Sequence, residues 1–425
     1  MGPRMLNVLV INTGSSSIKY ELFAMPARRS RASGLLECIG EPMARLTHRA
    51  GRREFVTERF VRSHQEGLSL VIEALTGGKA PVIESVREIA AVGHRVVHGG
   101  EQFVASCLIT DAVMRAVEAF EALAPLHNPA NLQGIRTAQV LLPNTPQVAV
   151  FDTAFHQTMP RQAYIYALPY ELYQRDRIRR YGFHGTSHRY VSIRAAEVLG
   201  KPLPEVNLIT CHLGNGCSVT AVRGGKSVDC SLGMTTLAGL MMGTRCGDLD
   251  PGVVLHLMET KGMTRAEVGR LLYRQSGLLG VSGVSNDMRQ VRQAAEAGNE
   301  RAQLAIDILC YQLKKYIGAY AAVLGRVDAV VFTGGIGENA AFVREETCAG
   351  LEALGVVLDR ERNDAVEGDA ADVAADRSPV RILVIKTDEE SLIAQDAWEI
   401  VRGLSDKARG PLRGPVSAKT GEAQR

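Results

Sequence analysis

The sequence lacks most of the signatures that would place it quickly. Its eight cysteines form no CxxC pair and no zinc spacing, which argues against a disulfide scaffold or a zinc module and leaves reduced packing residues as the expectation. No apolar run approaches the roughly 20 residues of a membrane span. The short apolar run near the start breaks at Asn12 without a small-residue cleavage site, so no signal peptide is expected. Pro3 and Leu6 spoil the myristoylation pattern that Met1-Gly2 opens. A cytoplasmic protein is expected. Charge of one sign is also scarce: the net charge is +3, and 405–425 alone, with five basic and two acidic residues, supplies it. Arginines between Arg28 and Arg62 alternate with Glu37, Glu41, Glu54 and Glu58, which reads as a solvated face. Neither nucleic acid nor a membrane is an expected partner.

Three ligand motifs are imitated without being completed. Gly224-Gly225-Lys226-Ser227 ends like a Walker A loop, but position 220 is Thr where that loop needs glycine, and strand patterns flank it. It reads as a hairpin turn. Gly334-Gly335-Ile336-Gly337 follows a strand but lacks the GxGxxG spacing of a dinucleotide site; its glycines suit close approach by an adenosine. His94/His98 and His184/His188 have the i, i+4 spacing of a zinc pair. Neighbouring glycines make regular helices there unexpected, and HExxH is absent.

What is present is a chain of 425 residues, 46% apolar and 22% charged, long enough for two α/β domains of about 150–200 residues each. Val8–Phe23 (VLVINTGSSSIKYELF) reads as a buried strand, a polar turn and a half-buried returning strand. The turn gathers backbone N–H groups, hydroxyls and a lysine, a phosphate-binding composition. Phosphate held between two strands, not between a strand and a helix, excludes the P-loop class. Val206–Val222 repeats the pattern about 200 residues later, and Asp328–Phe342 reads as strand, glycine turn and helix start. Two similar domains facing one cleft are expected. Ser391–Leu404 carries apolar residues at helical spacing, with Thr387 and Glu390 placed for a capping box; the segment from Ser405 is expected to be disordered.

Seven of the ten histidines fall between 94 and 212, among Gly, Arg and Asn, which fits a cleft that handles anions. Arg95 and Arg245 sit beside glycines, where two guanidiniums could clamp a carboxylate and a phosphoryl group. Asp152 ends an apolar strand, the position where open α/β sheets bind ligands; capping the next turn is its bland alternative.

These segments together resemble the acetokinase family, of the sugar kinase/Hsp70/actin superfamily, from Leu6 to Leu404. The matching motifs are VINTGSSSIKY, GHRVVHGGE, APLHNP, VFDTAFHQTMP, RRYGFHGTSH, CHLGNGCSV, GLMMGTRCGDLDPG, SGLLGVSGVSNDMR, FTGGIGEN and TDEES. The resemblance implies two ribonuclease-H-like α/β domains flanking a cleft: residues 1–152 with a returning helix 389–404, and 153–388. It implies reversible Mg²⁺-dependent transfer of the ATP γ-phosphoryl group to acetate, giving acetyl phosphate and ADP, with Mn²⁺ as a substitute metal and a homodimer as the assembly.

The resemblance also assigns residues. Asn12 and Glu389 organise the metal, with Lys19, Ser15 and Ser17 near the phosphates. His212, Leu213, Gly214, Asn215 and Gly216, then Asp287, Met288 and Arg289, then Gly335, Ile336, Gly337, Glu338 and Asn339, bind the nucleotide. Arg95 binds the acid, with Val97, Leu126, Phe183 and Thr236 lining its pocket. His184 and Arg245 stabilise the phosphoryl group, and Asp152 is the essential carboxylate. A carboxylate acceptor is already ionised at pH 7 and needs no general base. Asp152 is therefore expected to organise metal and water, while two arginines, a histidine, a lysine and the metal supply positive charge. The chain departs from the family at Thr236 and Ala238 (MTTLAG for FTPLEG), at Asp388 for asparagine, and in the mild change to TGG at 333–335. Position 236 leaves propionate or butyrate open as the acid, and a non-catalytic nucleotide sensor is the alternative of another class.

Overall fold

The structure is a computed structural model that describes residues 6–121, 124 and 127–408. Expectations for Leu126 and for 409–425 lie outside the described residues. The first sheet contains β1 (Leu6–Thr13), β2 (Ile18–Met25), β3 (Arg29–Glu37), β4 (Ala44–Ala50), β5 (Arg53–Arg59), β6 (Ile89–Val96), β7 (Cys107–Leu108) and β8 (Gln147–Phe151), in the order 5-4-3-2-1-6-8-7. The second contains β9 (Asn207–Leu213), β10 (Cys217–Arg223), β11 (Lys226–Cys230), β12 (Ala329–Thr333), β13 (Ala370–Asp372) and β14 (Arg381–Ile385), in the order 11-10-9-12-14-13.

A common unit is visible in both. β3-β2-β1 and β11-β10-β9 are antiparallel meanders, and β6-β8 and β12-β14 extend each sheet in parallel from its first strand. The expected strand–turn–strand segments are the first two strands of each meander, with Asn12 opposite Lys19 and Cys217 opposite Leu213. The Walker-like run is the β10–β11 hairpin turn.

Helices cover both faces of the central strands, which explains the unbroken apolar run Val8–Ile11 within β1. Leu9 and Ile11 pack with Leu68, Val71 and Ala138 of helices His64–Thr76 and Asn128–Leu141. Val8 and Val10 face Ile393, Ala394 and Ala397 of the last helix, Glu389–Ala408. That helix runs four residues beyond Leu404. Gly93 on β6 lets it approach: an added Cβ would lie 2.6 Å from Ile393 Cγ2. Burying a side chain the size of Ile393 contributes about 1.5–3 kcal/mol. The expected capping box is not formed. Asp388 Oδ1 accepts from the Ser391 N–H at 2.9 Å, while Glu390 is drawn to Lys19, 2.6 Å away.

In the second half, helix Gly185–Val198 packs Val191 and Ala195 on one face of the sheet, and Glu300–Leu324 packs Leu309 and Leu313 on the other. Gly185–Val198 starts beside His184, where glycines had argued against a regular helix. All eight cysteines are unpaired. Among the described residues no helix is long and apolar enough to cross a membrane.

Candidate active site

On the first sheet, Arg95 near the end of β6 meets Asp152, just beyond β8. Arg95 Nε donates to Asp152 Oδ1 at 3.0 Å and Nη2 to Oδ2 at 2.5 Å. Asp152 is 1% exposed and does not cap the turn that follows. Glu389, at the start of the last helix, lies 3.9 Å from the same guanidinium. Arg95 is thus already engaged by carboxylates and is not a free clamp. Burial would lower its pKa, but Asp152 and Glu389 outweigh that and raise it. Burial, reinforced by Asp152 and Glu390 against Arg95 and Lys19, pushes the Glu389 carboxyl up to about 7. Three carboxylates here face two cations.

Lys19 projects from β2 toward Glu390, opposite Asn12 on β1. The turn before it is closed by the Gly14 N–H donating to Ser17 O at 2.9 Å, with Ser15 exposed at its tip.

The second half contributes a different chemistry. Arg245 donates through Nη1 to Thr236 O at 2.8 Å, and among the described residues no carboxylate pairs with it. Burial lowers its pKa. A partly buried guanidinium lacking a counter-ion is a receptor for an anion. An added Cβ at Gly216 would lie 3.3 Å from His184 Nε2 and 3.4 Å from Arg245 Nη2, so glycine there keeps both groups open to the cleft.

His184 has a left-handed backbone (φ 56°) at the start of its helix, a conformation that costs a non-glycine residue about 1–3 kcal/mol and recurs at functional sites. Burial, then His212, His188 and the two arginines, holds its pKa well below 6.5. This environment disfavours the imidazolium, so His184 serves as a dipole and not as one of the positive charges expected from sequence. The His212 ring lies against it, tilted by 34° with ring centroids 4.5 Å apart; burial and Arg95 push His212 down to about 4.

The histidine-rich region therefore divides. His184, His188 and His212 form one cluster, whereas His94 bonds Gln147 in the core and His98 packs between Tyr181 and Phe183. Those two are core histidines, not anion ligands. His127 was not singled out, yet it lies within the influence of Arg95, Arg245 and Asp152, and burial followed by the arginines lowers its pKa. Its signal was APLHNP, where Asn-Pro opens a helix behind it.

Beyond Gly216 the cleft widens into a cavity of 850 Å³ lined by Gly214, Asn215, Asp287, Met288, Arg289, Gly335, Ile336 and Asn339. Three separated sequence segments meet there, within the size range of ligand pockets. Met288 is largely buried, and Asp287 caps its own helix while pairing with Arg289. Other expected members point elsewhere. Leu213 is 0% exposed in the core, and Gly337 is buried. Glu338 accepts from the Gly334 and Thr387 N–H groups at 2.8 and 3.1 Å, so it ties helix Gly334–Asn339 to the crossing before Glu389. Of the residues expected to line an acid pocket, Val97 and Phe183 join one apolar cluster, and Thr236 supports Arg245 through its carbonyl.

The profile of the acetokinase family matches residues 7–395. A protein named acetate kinase from Nitratidesulfovibrio vulgaris (strain DP4) is 54% identical over 403 residues, covering 94% of this chain and 100% of that protein. The crystal structure of Porphyromonas gingivalis acetate kinase is 48% identical with a TM-score of 0.89, covering 93% of this chain and 100% of that one. A propionate kinase from Francisella tularensis subsp. tularensis SCHU S4 is 43% identical with a TM-score of 0.88 over the same shares. The chain belongs to the acetokinase family.

Proposed function

We propose that this protein transfers the γ-phosphoryl group of ATP to acetate, reversibly, forming acetyl phosphate and ADP. The observation that carries this reading is the meeting of Arg95, Asp152 and Glu389 with an Arg245 that lacks a carboxylate partner, beside His184. Adenosine occupies the 850 Å³ cavity, and Gly214–Gly216 leads its phosphates toward Arg245. Arg95 receives the acid through Nη1, the guanidinium nitrogen that Asp152 does not take, and the alkyl end rests against Val97, Phe183 and Thr236. With no proton to remove, the protein's work is to bring two anions together and spread the charge of the phosphoryl oxygens. Arg245 contributes its positive charge and the Nη2 donor beside Gly216, and His184 contributes an uncharged dipole.

Mg²⁺ fits the carboxylate side. Among the described residues no three His, Cys, Asp or Glu side chains are grouped to hold a metal unaided. Mg²⁺ commonly takes one or two protein carboxylates and completes its shell with phosphate oxygens and water. Asn12 and Glu389 would hold it, with Asp152 ordering its waters; when bound, it neutralises phosphate charge. Lys19 and the Ser15–Ser17 turn support the same phosphates.

Residues 1–152 with 389–404, and 153–388, are the proposed domains, each built on one sheet, and they close on the nucleotide. A homodimer is supported by helix Pro251–Glu259, which buries none of its residues and exposes Val253, Leu255 and Met258. The cytoplasm is the proposed location. Hydroxamate trapping with MgATP and acetate, propionate or butyrate tests the activity. The largest kcat/KM is expected with acetate. A propionate preference would reassign the acid and implicate Thr236, and no trapped product from any acid would overturn the reading.

A further inference from the structure

Behind His184 lies a hydrogen-bonded chain that runs away from the cleft. His184 Nδ1 is 2.9 Å from Ser218 Oγ, which is 2.7 Å from His188 Nε2. His188 Nδ1 is in turn 2.7 Å from Thr210 Oγ1. Ser218, His188 and Thr210 are each 0% exposed, so no water competes for these partners. Burial and the neighbouring imidazoles keep both His184 and His188 uncharged.

A chain of neutral imidazoles and hydroxyls has one proton for each link, so its direction is set at its inner end. The only other acceptor recorded for the Thr210 hydroxyl among the described residues is Thr220 O, 3.5 Å away and at the limit of a hydrogen bond. With so long a contact as its alternative, the Thr210 hydroxyl is taken to donate to His188 Nδ1, 2.7 Å away. His188 must then carry its proton on Nε2 and donate it to Ser218 Oγ. The Ser218 proton is left for His184 Nδ1, and His184 must carry its own on Nε2, the edge that faces Gly216 and Arg245.

We propose that Ser218 and His188 are positioning residues that hold His184 in its Nε2–H tautomer, so that it presents a donor to the transferring phosphoryl group. The inference rests on the reading of His184 as a group that touches this phosphoryl group. It explains how a histidine too buried to carry charge still serves an anion: the chain fixes the direction of its dipole before substrate arrives.

The test uses ¹⁵N-histidine-labelled full-length protein. NMR is expected to show His184 with a protonated Nε2 and an unprotonated Nδ1; the reverse tautomer in the unmodified protein overturns the proposal. Ser218→Ala is expected to lower kcat about 10–100-fold with both KM values within about threefold, and to release His184 into a tautomer mixture. His188→Met should match it, whereas His188→Gln, whose amide can still donate to Ser218, should keep kcat within about threefold of the unmodified protein. A folded Ser218→Ala protein with unchanged kcat and tautomer would also overturn the proposal. If these variants fail to fold, the tautomer of the unmodified protein decides. Full turnover by His184→Ala would instead remove the reading of the site while leaving the tautomer result intact.

Discussion

The two walls of the cleft share a common strand unit but carry opposite electrostatics. The wall from the first sheet gathers Asp152, Glu389 and Glu390 around Arg95 and Lys19, every cation already matched. The wall from the second sheet holds Arg245 without a carboxylate, two neutral imidazoles and a glycine-rich strand end. A surplus of carboxylate suits a hard divalent cation, and an unmatched guanidinium suits a phosphate. One architecture, used twice, has thus been specialised by what each sheet places at the ends of its central strands.

The comparison can be broken most severely at Arg245. Arg245→Ala is expected to reduce kcat about 10³-fold with little change in KM for ATP, because it removes charge matched to the transition state. Arg245→Lys should recover little, since an ammonium cannot reproduce the planar fork. Turnover near that of the unmodified protein in steady-state kinetics would collapse the electrostatic account. A smaller effect is expected in the adenosine cavity. An added Cβ at Gly335 meets nothing within 4 Å, so Gly335→Phe should fold normally and fill the pocket, raising KM for ATP about tenfold without altering KM for the acid. Equal changes in both constants would mean that the cavity is not the nucleotide's. The smallest effect is expected at Thr236. Thr236→Pro keeps the carbonyl that accepts from Arg245 while changing the stiffness and polarity of the pocket wall. The acetate-to-propionate ratio of kcat/KM should move by no more than about 10–100-fold, the scale of one methylene.

Much of this was legible because it is local. Strand alternation around Gly14–Ser17 and Gly214–Gly216 fixed both hairpins, and glycine at 334–337 marked a strand-to-helix turn. What needed the structure is non-local. Arg95 and Asp152 lie 57 positions apart, and nothing in either motif says that one neutralises the other. Similarly, TDEES offers several capping arrangements, and a lysine from β2 decides among them by claiming Glu390 and leaving the cap to Asp388. Spacing also could not separate His94 and His98 from His184 and His188. Both pairs are four apart, and only their partners distinguish them: Gln147 and aromatic rings hold His94 and His98 in the core, whereas Ser218 joins the buried His188 to the cleft-facing His184.

The division of labour between the walls is tested most directly by Mg²⁺ titration of turnover in Glu389→Gln and Arg245→Ala side by side. The half-saturating Mg²⁺ concentration is expected to rise about tenfold or more in Glu389→Gln, with kcat largely restored at saturation. In Arg245→Ala the half-saturating concentration should be unchanged and the lost kcat not recovered at any Mg²⁺ concentration. Rescue of Arg245→Ala by Mg²⁺, or an unaltered Mg²⁺ requirement in Glu389→Gln, would contradict it.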